Sequence, residues 1–226
     1  MNRIKEHFEE EAKEFDQIIL KYIPYYEEMI GALISAIPFE KSKSFEVMDL
    51  GCGTATVSKK IKENFPNANI TCLDQAENML KMAKNKLQKY TDITYVLSDF
   101  NNLKFNKKYD LVVSSLALHH LKTDEDKKRI YKKIYNNLSN NGIFYIADAV
   151  IGNNEHLHNI YISKWKEFMQ RNVSIEEIEE KVMPMYKEED RPAKLMDQIN
   201  WLVKIGFRDV DVIWKYYKFA VYGGLK

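Results

Sequence analysis

Little in this chain points outward. No stretch approaches the roughly 18 consecutive apolar residues of a membrane span, so no membrane partner is expected. Its 34 lysines and arginines stand against 33 aspartates and glutamates, a net charge of +1. That balance lacks the basic excess of a protein that binds bulk nucleic acid. Only two cysteines occur, Cys52 and Cys72. They form no C-x-x-C pair, and each falls on or just after an apolar strand pattern. They read as reduced, buried thiols of a cytoplasmic protein. The amino terminus, Met1-Asn2-Arg3-Ile4-Lys5-Glu6, is charged and then amphipathic, unlike a signal peptide. Glycine and proline are sparse, eight and five in 226 residues, a compositional bias without functional content. Hydrophobic residues make up 45%, enough for a real core in one domain of ordinary enzyme size.

With glycine so scarce, two glycines one residue apart matter. Phe45 to Ala55 reads as an apolar strand ending in Asp49, a Gly51-Cys52-Gly53 turn, and the start of a helix. Glycine lets such a turn be tight and lets its backbone approach a ligand. The helix that follows aims N–H groups and partial positive charge at the same place. The next apolar strand, Asn69 to Asp74, ends in a carboxylate about 20 residues on, where a nucleotide site places the acceptor for a ribose diol.

Upstream, apolar residues at Ile4, Phe8, Ala12, Phe15, Ile19 and Tyr22 predict a helix over 4–22 with one buried face. Pro24 ends it. A second helix carries Met29, Ile30, Leu33 and Ile34 and stops near Pro38. Residues 1–40 are expected to cover the ligand edge of the sheet. From 45 to 150 strand and helix alternate, which predicts a parallel sheet with helices on both faces. Helices are expected near Val57–Phe65, Asn78–Tyr90 and Asp124–Leu138, the last capped by Thr123. Strands are expected at Ile93–Leu97, Tyr109–Ser114 and, after an Asn140-Asn141-Gly142 turn, Ile143–Asp148. Residues 152–190 break the rhythm with two helical stretches, Glu155–Arg171 and Ile175 to about Met183, closed by Pro184 and the charged run to Pro192. They sit where a lid would sit. A helix over Ala193–Ile205 stops at Gly206, and 207–225 predicts an antiparallel strand pair. The whole, 1–226, is read as a single domain.

The ordered set Val-x-Asp-x-Gly-x-Gly-Thr, Asp74, Asp99-Phe100 and Ser-Ser-x-x-x-His-His-Leu resembles the class I S-adenosylmethionine (SAM)-dependent methyltransferases across nearly the whole chain. Ala55 replaces the third glycine of the usual turn. The resemblance implies a Rossmann-like, seven-stranded, mostly parallel sheet with SAM as cofactor. Ile23-Pro24-Tyr25-Tyr26, Asp74-Gln75 with Met79, Lys133-Ile134-Tyr135 and the Gly206-Phe207 ending are similar to the carboxy-SAM synthase branch, whose enzymes serve tRNA wobble-uridine modification. The arginine by which that branch recognises the extra carboxylate aligns here with Trp201, which favours ordinary SAM.

The resemblance assigns cofactor contacts. Gly51 and Gly53 would meet the methionine end of SAM, and Asp49 would fix the turn and take the ammonium through water. Asp74 would accept the ribose hydroxyls, with Gln75 reaching the second. Met79 would lie on the adenine, Asp99 and the Phe100 backbone at its edge, Ser115 after the fourth strand, and Tyr26 over the methionine end. Methyl transfer needs an aligned nucleophile and a base only if a proton must leave. His119 and His120 are the candidates for that base. His156 and His158, spaced i, i+2, do not face each other on a helix and read as surface residues, so no metal site is expected. Tyr161, Trp165 and Phe168 read mainly as core, in part as cavity lining. The Asp/Asn-Pro-Pro-Tyr and Pro-Cys signatures of DNA methylases are absent, so DNA is not expected as substrate. Three functions stay open: a methyltransferase acting on O or N of a small molecule, a carboxy-SAM-type enzyme, and a non-catalytic SAM-binding protein. A homodimer is left open.

Overall fold

Central strands must bury both faces, and the sequence supplies apolar residues for both. In the computed structural model, which describes residues 2–226 with the side chains of residues 2–4 and 11 outside the description, seven strands form one sheet. They are β1 (Phe45–Leu50), β2 (Ala68–Asp74), β3 (Ile93–Leu97), β4 (Tyr109–Ser115), β5 (Leu138–Ala149), β6 (Arg208–Tyr216) and β7 (Phe219–Leu225). Their order is β3-β2-β1-β4-β5-β7-β6. β1 to β5 run parallel, and β7 pairs antiparallel with β5 and β6, as expected.

Alternate residues of the strands enter different cores. Val47, Ile70, Leu111 and Val113 pack on one face, beneath the N-terminal helices and the 152–190 segment. Met48, Leu50, Val112 and Ile146 pack on the other, against Ile130, Ile134, Leu195 and Leu202. Each such side chain contributes about 1.5–3 kcal/mol by leaving water. β1 has β2 on one side and β4 on the other, so the crossovers diverge there and open a crevice at the strand C-termini.

Helices α1 (Asn2–Glu11), α2 (Phe15–Tyr22) and α3 (Tyr26–Ser35) precede the sheet. The single helix expected over 4–22 is therefore broken at residues 12–14; Ile4 lies outside the described side chains. Docking explains the break. Ala12 is buried against Ala76 and Met79, and the Glu9 carboxylate accepts the N–H groups of Glu77 (2.6 Å) and Asn78 (2.7 Å). These N–H groups open α5 (Glu77–Leu87), which follows α4 (Thr56–Asn64). Asp16, on α2, is held by Lys86 at 2.6 Å and by the Thr54 hydroxyl at 2.6 Å.

Thr123 caps α6 (Asp124–Asn137), accepting from the Asp126 N–H. β5 begins earlier than expected, at Leu138. The Asn140-Asn141-Gly142 turn is instead a bulge between the pairs Tyr109↔Leu138 and Leu111↔Ile143, with Asn141 in the left-handed region at φ 60°. The 152–190 segment folds as α7 (Glu155–Met169), α8 (Ile175–Glu177), a π-helical stretch (Ile178–Val182) and α9 (Met183–Glu189). Pro184 does not end this run. It stands in the first turn of α9, where a missing N–H costs little. Helix α10 (Leu195–Ile205) ends at Gly206, φ 118°, as read from the sequence. No helix among the described residues is long and apolar enough to cross a membrane.

Candidate active site

The β1–α4 turn is built by backbone strain that only its sequence tolerates. Gly51 and Gly53 take φ of 69° and 53°. The Gly51 and Cys52 N–H groups fold back onto the Leu73 carbonyl at 2.8 and 2.9 Å. A Cβ on Gly51 would stand 2.4 Å from the Ala117 Cβ and 3.3 Å from the Phe100 ring. Glycine is therefore required there by space as well as by φ. Ala55 also sits in the left-handed region, at φ 65°, buried, and leads into α4.

Two strand-end carboxylates frame this turn. Asp74 accepts the Gly53 N–H (2.8 Å) and the Ala76 N–H (2.9 Å), so it shapes the loop besides facing the cavity. Asp49 is fully buried and accepts the Ser58 hydroxyl at 2.6 Å through Oδ2. Its Oδ1 has no hydrogen-bond partner. Burial, opposed by the Ser58 hydrogen bond, pushes the Asp49 carboxyl up to about 6. A buried, unpartnered acceptor beside a glycine turn is an opening for a donor, and best for a cationic one.

These residues line a cavity of about 380 Å³, within the size range of small-molecule sites. All ten residues expected to touch a cofactor border it: Tyr26, Asp49, Gly51, Gly53, Asp74, Gln75, Met79, Asp99, Phe100 and Ser115. Burial keeps the Tyr26 phenol protonated. Phe8, Phe15, Ile19, Ser98, Asn101, Lys122 and Asp126 also line it and were not foreseen. Phe8, Phe15 and Ile19 read as the buried face of the expected N-terminal cover, without a role of their own at the cavity. The N-terminal helices thus form one wall, while no residue of 152–190 touches this cavity.

A second cavity, of about 120 Å³, adjoins the first; Phe8, Phe15, Ile19, Leu116 and His120 border both. Here 152–190 contributes Trp165, Val182, Met185, Tyr186, Glu189 and Asp190. Of the aromatic stripe, Trp165 lines the second cavity, and Tyr161 and Phe168 border neither of the two. Its indole N–H donates to the Tyr22 carbonyl at 2.7 Å, and the Tyr22 hydroxyl donates to Glu177 at 2.6 Å. The insertion is thereby tied to α2.

The two adjacent histidines, on a 3-10 turn (Leu118–His120), part company. His119 lies outside the first cavity, its Nδ1 2.5 Å from Asp148 and its Nε2 3.4 Å from Asp190. Burial opposes its charge, but Asp148 and then Asp190 outweigh burial and push its pKa up to about 10. An imidazolium held by two carboxylates cannot accept a proton at neutral pH. His120, at the wall between the cavities, is pushed down to about 4 by burial and by the His119 charge. It is neutral at pH 7. His119, His120 and Asp190 bring ligand atoms within 4.8 Å of one another. Asp148, at the end of β5, repeats the pattern of Asp49 and Asp74; that repetition was the available signal.

His156 is exposed, as read from the sequence, and His158 is half-buried. The His158 Nδ1 atom is buried without a hydrogen-bond partner. Cys52 and Cys72 are both buried and free. Trp201 lines neither cavity; it packs on Tyr131, with Lys128 over its ring at 5.0 Å. Among the described residues no arginine borders either cavity.

A family profile described as "Methyltransferase domain" matches residues 47–142. The carboxy-S-adenosyl-L-methionine synthase of Nautilia profundicola is 27% identical, covering 96% of this chain and 93% of that protein. The malonyl-[acyl-carrier protein] O-methyltransferase 1 of Ilyobacter polytropus is 30% identical over 67% of this chain, which spans 53% of its length. Among solved structures, human N-acetylserotonin methyltransferase in complex with SAM superposes with a TM-score of 0.65 at 17% identity. It covers 96% of this chain, and this chain spans 56% of it. At that identity the likeness speaks for the fold.

Proposed function

We propose, for a chain that carries a class I SAM-dependent methyltransferase domain, that the larger cavity holds SAM and the smaller one a small acceptor that receives its methyl group on O or N. The observation that carries this is Asp49 Oδ1, a buried acceptor without a partner at the glycine turn. The ammonium of a SAM methionyl end is the donor it lacks. Asp74 keeps lone pairs for ribose hydroxyls while it braces the turn. Met79 and Phe100 offer apolar contact to an adenine, and Asp99 an acceptor for its amino group.

Bound SAM supplies a methyl group already activated on a sulfonium. The chain's part is alignment and exclusion of water. Phe8, Phe15, Ile19 and Leu116 are the apolar collar where the two cavities meet. His120 stands in that collar as a neutral imidazole, suited to accept a hydrogen bond from an acceptor O–H or N–H. His119 fixes the turn that carries it.

A second reading is favoured by the near full-length similarity to carboxy-SAM synthases. An extra carboxylate on the transferred group would call for a forked arginine. Arg171 is exposed beside Glu167, and Arg191 spends its guanidinium on the carbonyls of Lys187, Glu188 and Asp190. Competition calorimetry with SAM, S-adenosylhomocysteine (SAH) and carboxy-SAM separates the readings. A synthase also binds SAM as its starting material, so the deciding pair is SAH, the product of methyl transfer, against carboxy-SAM; SAH binding at least as tightly as carboxy-SAM supports methyl transfer. A clear preference for carboxy-SAM overturns it in favour of the second reading.

A further inference from the structure

In the second cavity, one ammonium has no hydrogen-bond acceptor; Asp190 and Asp148 act on it only through their charge. His7 meets Glu189 at 3.2 Å. His119 takes Asp148 and Asp190, and His120 Nδ1 faces Asp190 at 3.5 Å. Lys218 is 1% exposed, borders this cavity, and its Nζ has no hydrogen-bond partner. Its neighbours are rings: Tyr186 at 3.9 Å from Nζ to centroid, Trp165 at 4.7 Å and Phe219 at 5.7 Å.

An ammonium offers three donors. Aromatic faces offset part of its burial but accept no strong hydrogen bond. Burying such a group without an acceptor is costly. The chain nonetheless holds it inward: Lys218 follows Tyr217, at φ 42°, in the β6–β7 turn, and its carbonyl accepts the Val150 N–H at 2.7 Å. We propose that Lys218 is the recognition residue for a carboxylate on the acceptor molecule. This rests on the second cavity being the acceptor chamber. The remaining walls, Ile18, Ile19, Tyr22 and Val182, are apolar, and about 120 Å³ admits only a small body. The ligand class is a small monocarboxylic acid with an apolar or aromatic body. A phosphate fits poorly: Asp190 and Glu189 line the same chamber and repel a dianion about twice as strongly as a monocarboxylate, and one ammonium supplies too few donors.

The test is calorimetric titration of SAH-saturated protein with acetate, benzoate and inorganic phosphate, comparing the parent with Lys218→Met and Lys218→Gln. SAH affinity, measured first, reports that each variant is folded. A carboxylate probe should bind the parent roughly tenfold to hundredfold more tightly than either variant. Equal carboxylate affinity in parent and variants, absence of binding included, overturns the assignment, as does tighter binding of phosphate than of both carboxylates. Loss of SAH binding by the parent itself would instead sink the cofactor reading, a separate result.

Discussion

The two cavities are wired with opposite polarity. The larger keeps a bare acceptor, Asp49 Oδ1, and the smaller a bare donor, Lys218 Nζ. Around the first, local sequence does the building: a strand, a glycine turn and a helix start within eleven residues, with the Asp74 strand end brought against it by one parallel pairing. Around the second, the parts come from α1, α2, the turn after β4, the insertion and the β6–β7 hairpin. A cavity made by neighbours in sequence can be written as a motif. A cavity made at the meeting of five segments has no motif, and its charges balance only once those segments have docked.

That contrast can be pressed experimentally. The largest effect is expected from Asp148→Ala. It strips the imidazolium of its nearer carboxylate, and breaking such a buried pair costs about 3–5 kcal/mol. Urea unfolding should show a loss of that size, while SAH affinity of the folded variant stays within a few-fold of the parent. An equal collapse of SAH binding would mean that the two cavities are one energetic unit.

The reverse experiment is Asp74→Ala. It removes a charged acceptor and frees the Gly53 and Ala76 N–H groups. SAM affinity should weaken by about 1.5–3 kcal/mol in calorimetric titration. Unchanged affinity would take Asp74 out of the cofactor site.

Next comes pH. The folded pKa of His119, about 10, lies above its unfolded value near 6.5. Its contribution to stability is therefore complete below pH 6.5 and is lost as pH rises toward 10. Between pH 6.5 and 8 the loss should be about 2 kcal/mol by urea unfolding. Asp190 runs oppositely: burial works against its charge, but His119 holds its pKa below the usual range. Its contribution is lost as pH falls below about 4. A flat profile from pH 6.5 to 8 would show that His119 is neutral in the folded protein.

The smallest effect concerns dynamics. Because α1 to α3 supply Phe8, Phe15, Ile19 and Tyr26 to the first cavity and residues 152–190 supply none, SAH should slow hydrogen exchange in the N-terminal helices. Exchange in α7 should change little. Equal protection of both would mean that the insertion closes over the cofactor as well.

Sequence alone determined the sheet, its alternation with helices, the glycine turn and ten of the residues that border the larger cavity. It could do so because period-2 and period-3.6 patterns, strand-end carboxylates and required glycines are local, and parallel pairing brings successive strand ends together without further information. Tertiary structure decided the rest. It broke the first helix at residues 12–14, where Glu9 and Ala12 dock on α5. It turned Asn140-Asn141-Gly142 into a bulge because Leu138 already pairs with Tyr109. It separated two adjacent histidines into a charged one and a neutral one, since only His119 meets Asp148. It also drew Lys218, which in sequence is one more lysine in a turn, into a cage of Trp165, Tyr186 and Phe219. Charge state and burial belong to the assembled surroundings of a side chain, and those surroundings come from residues as far as 182 positions away, as His7 and Glu189 are.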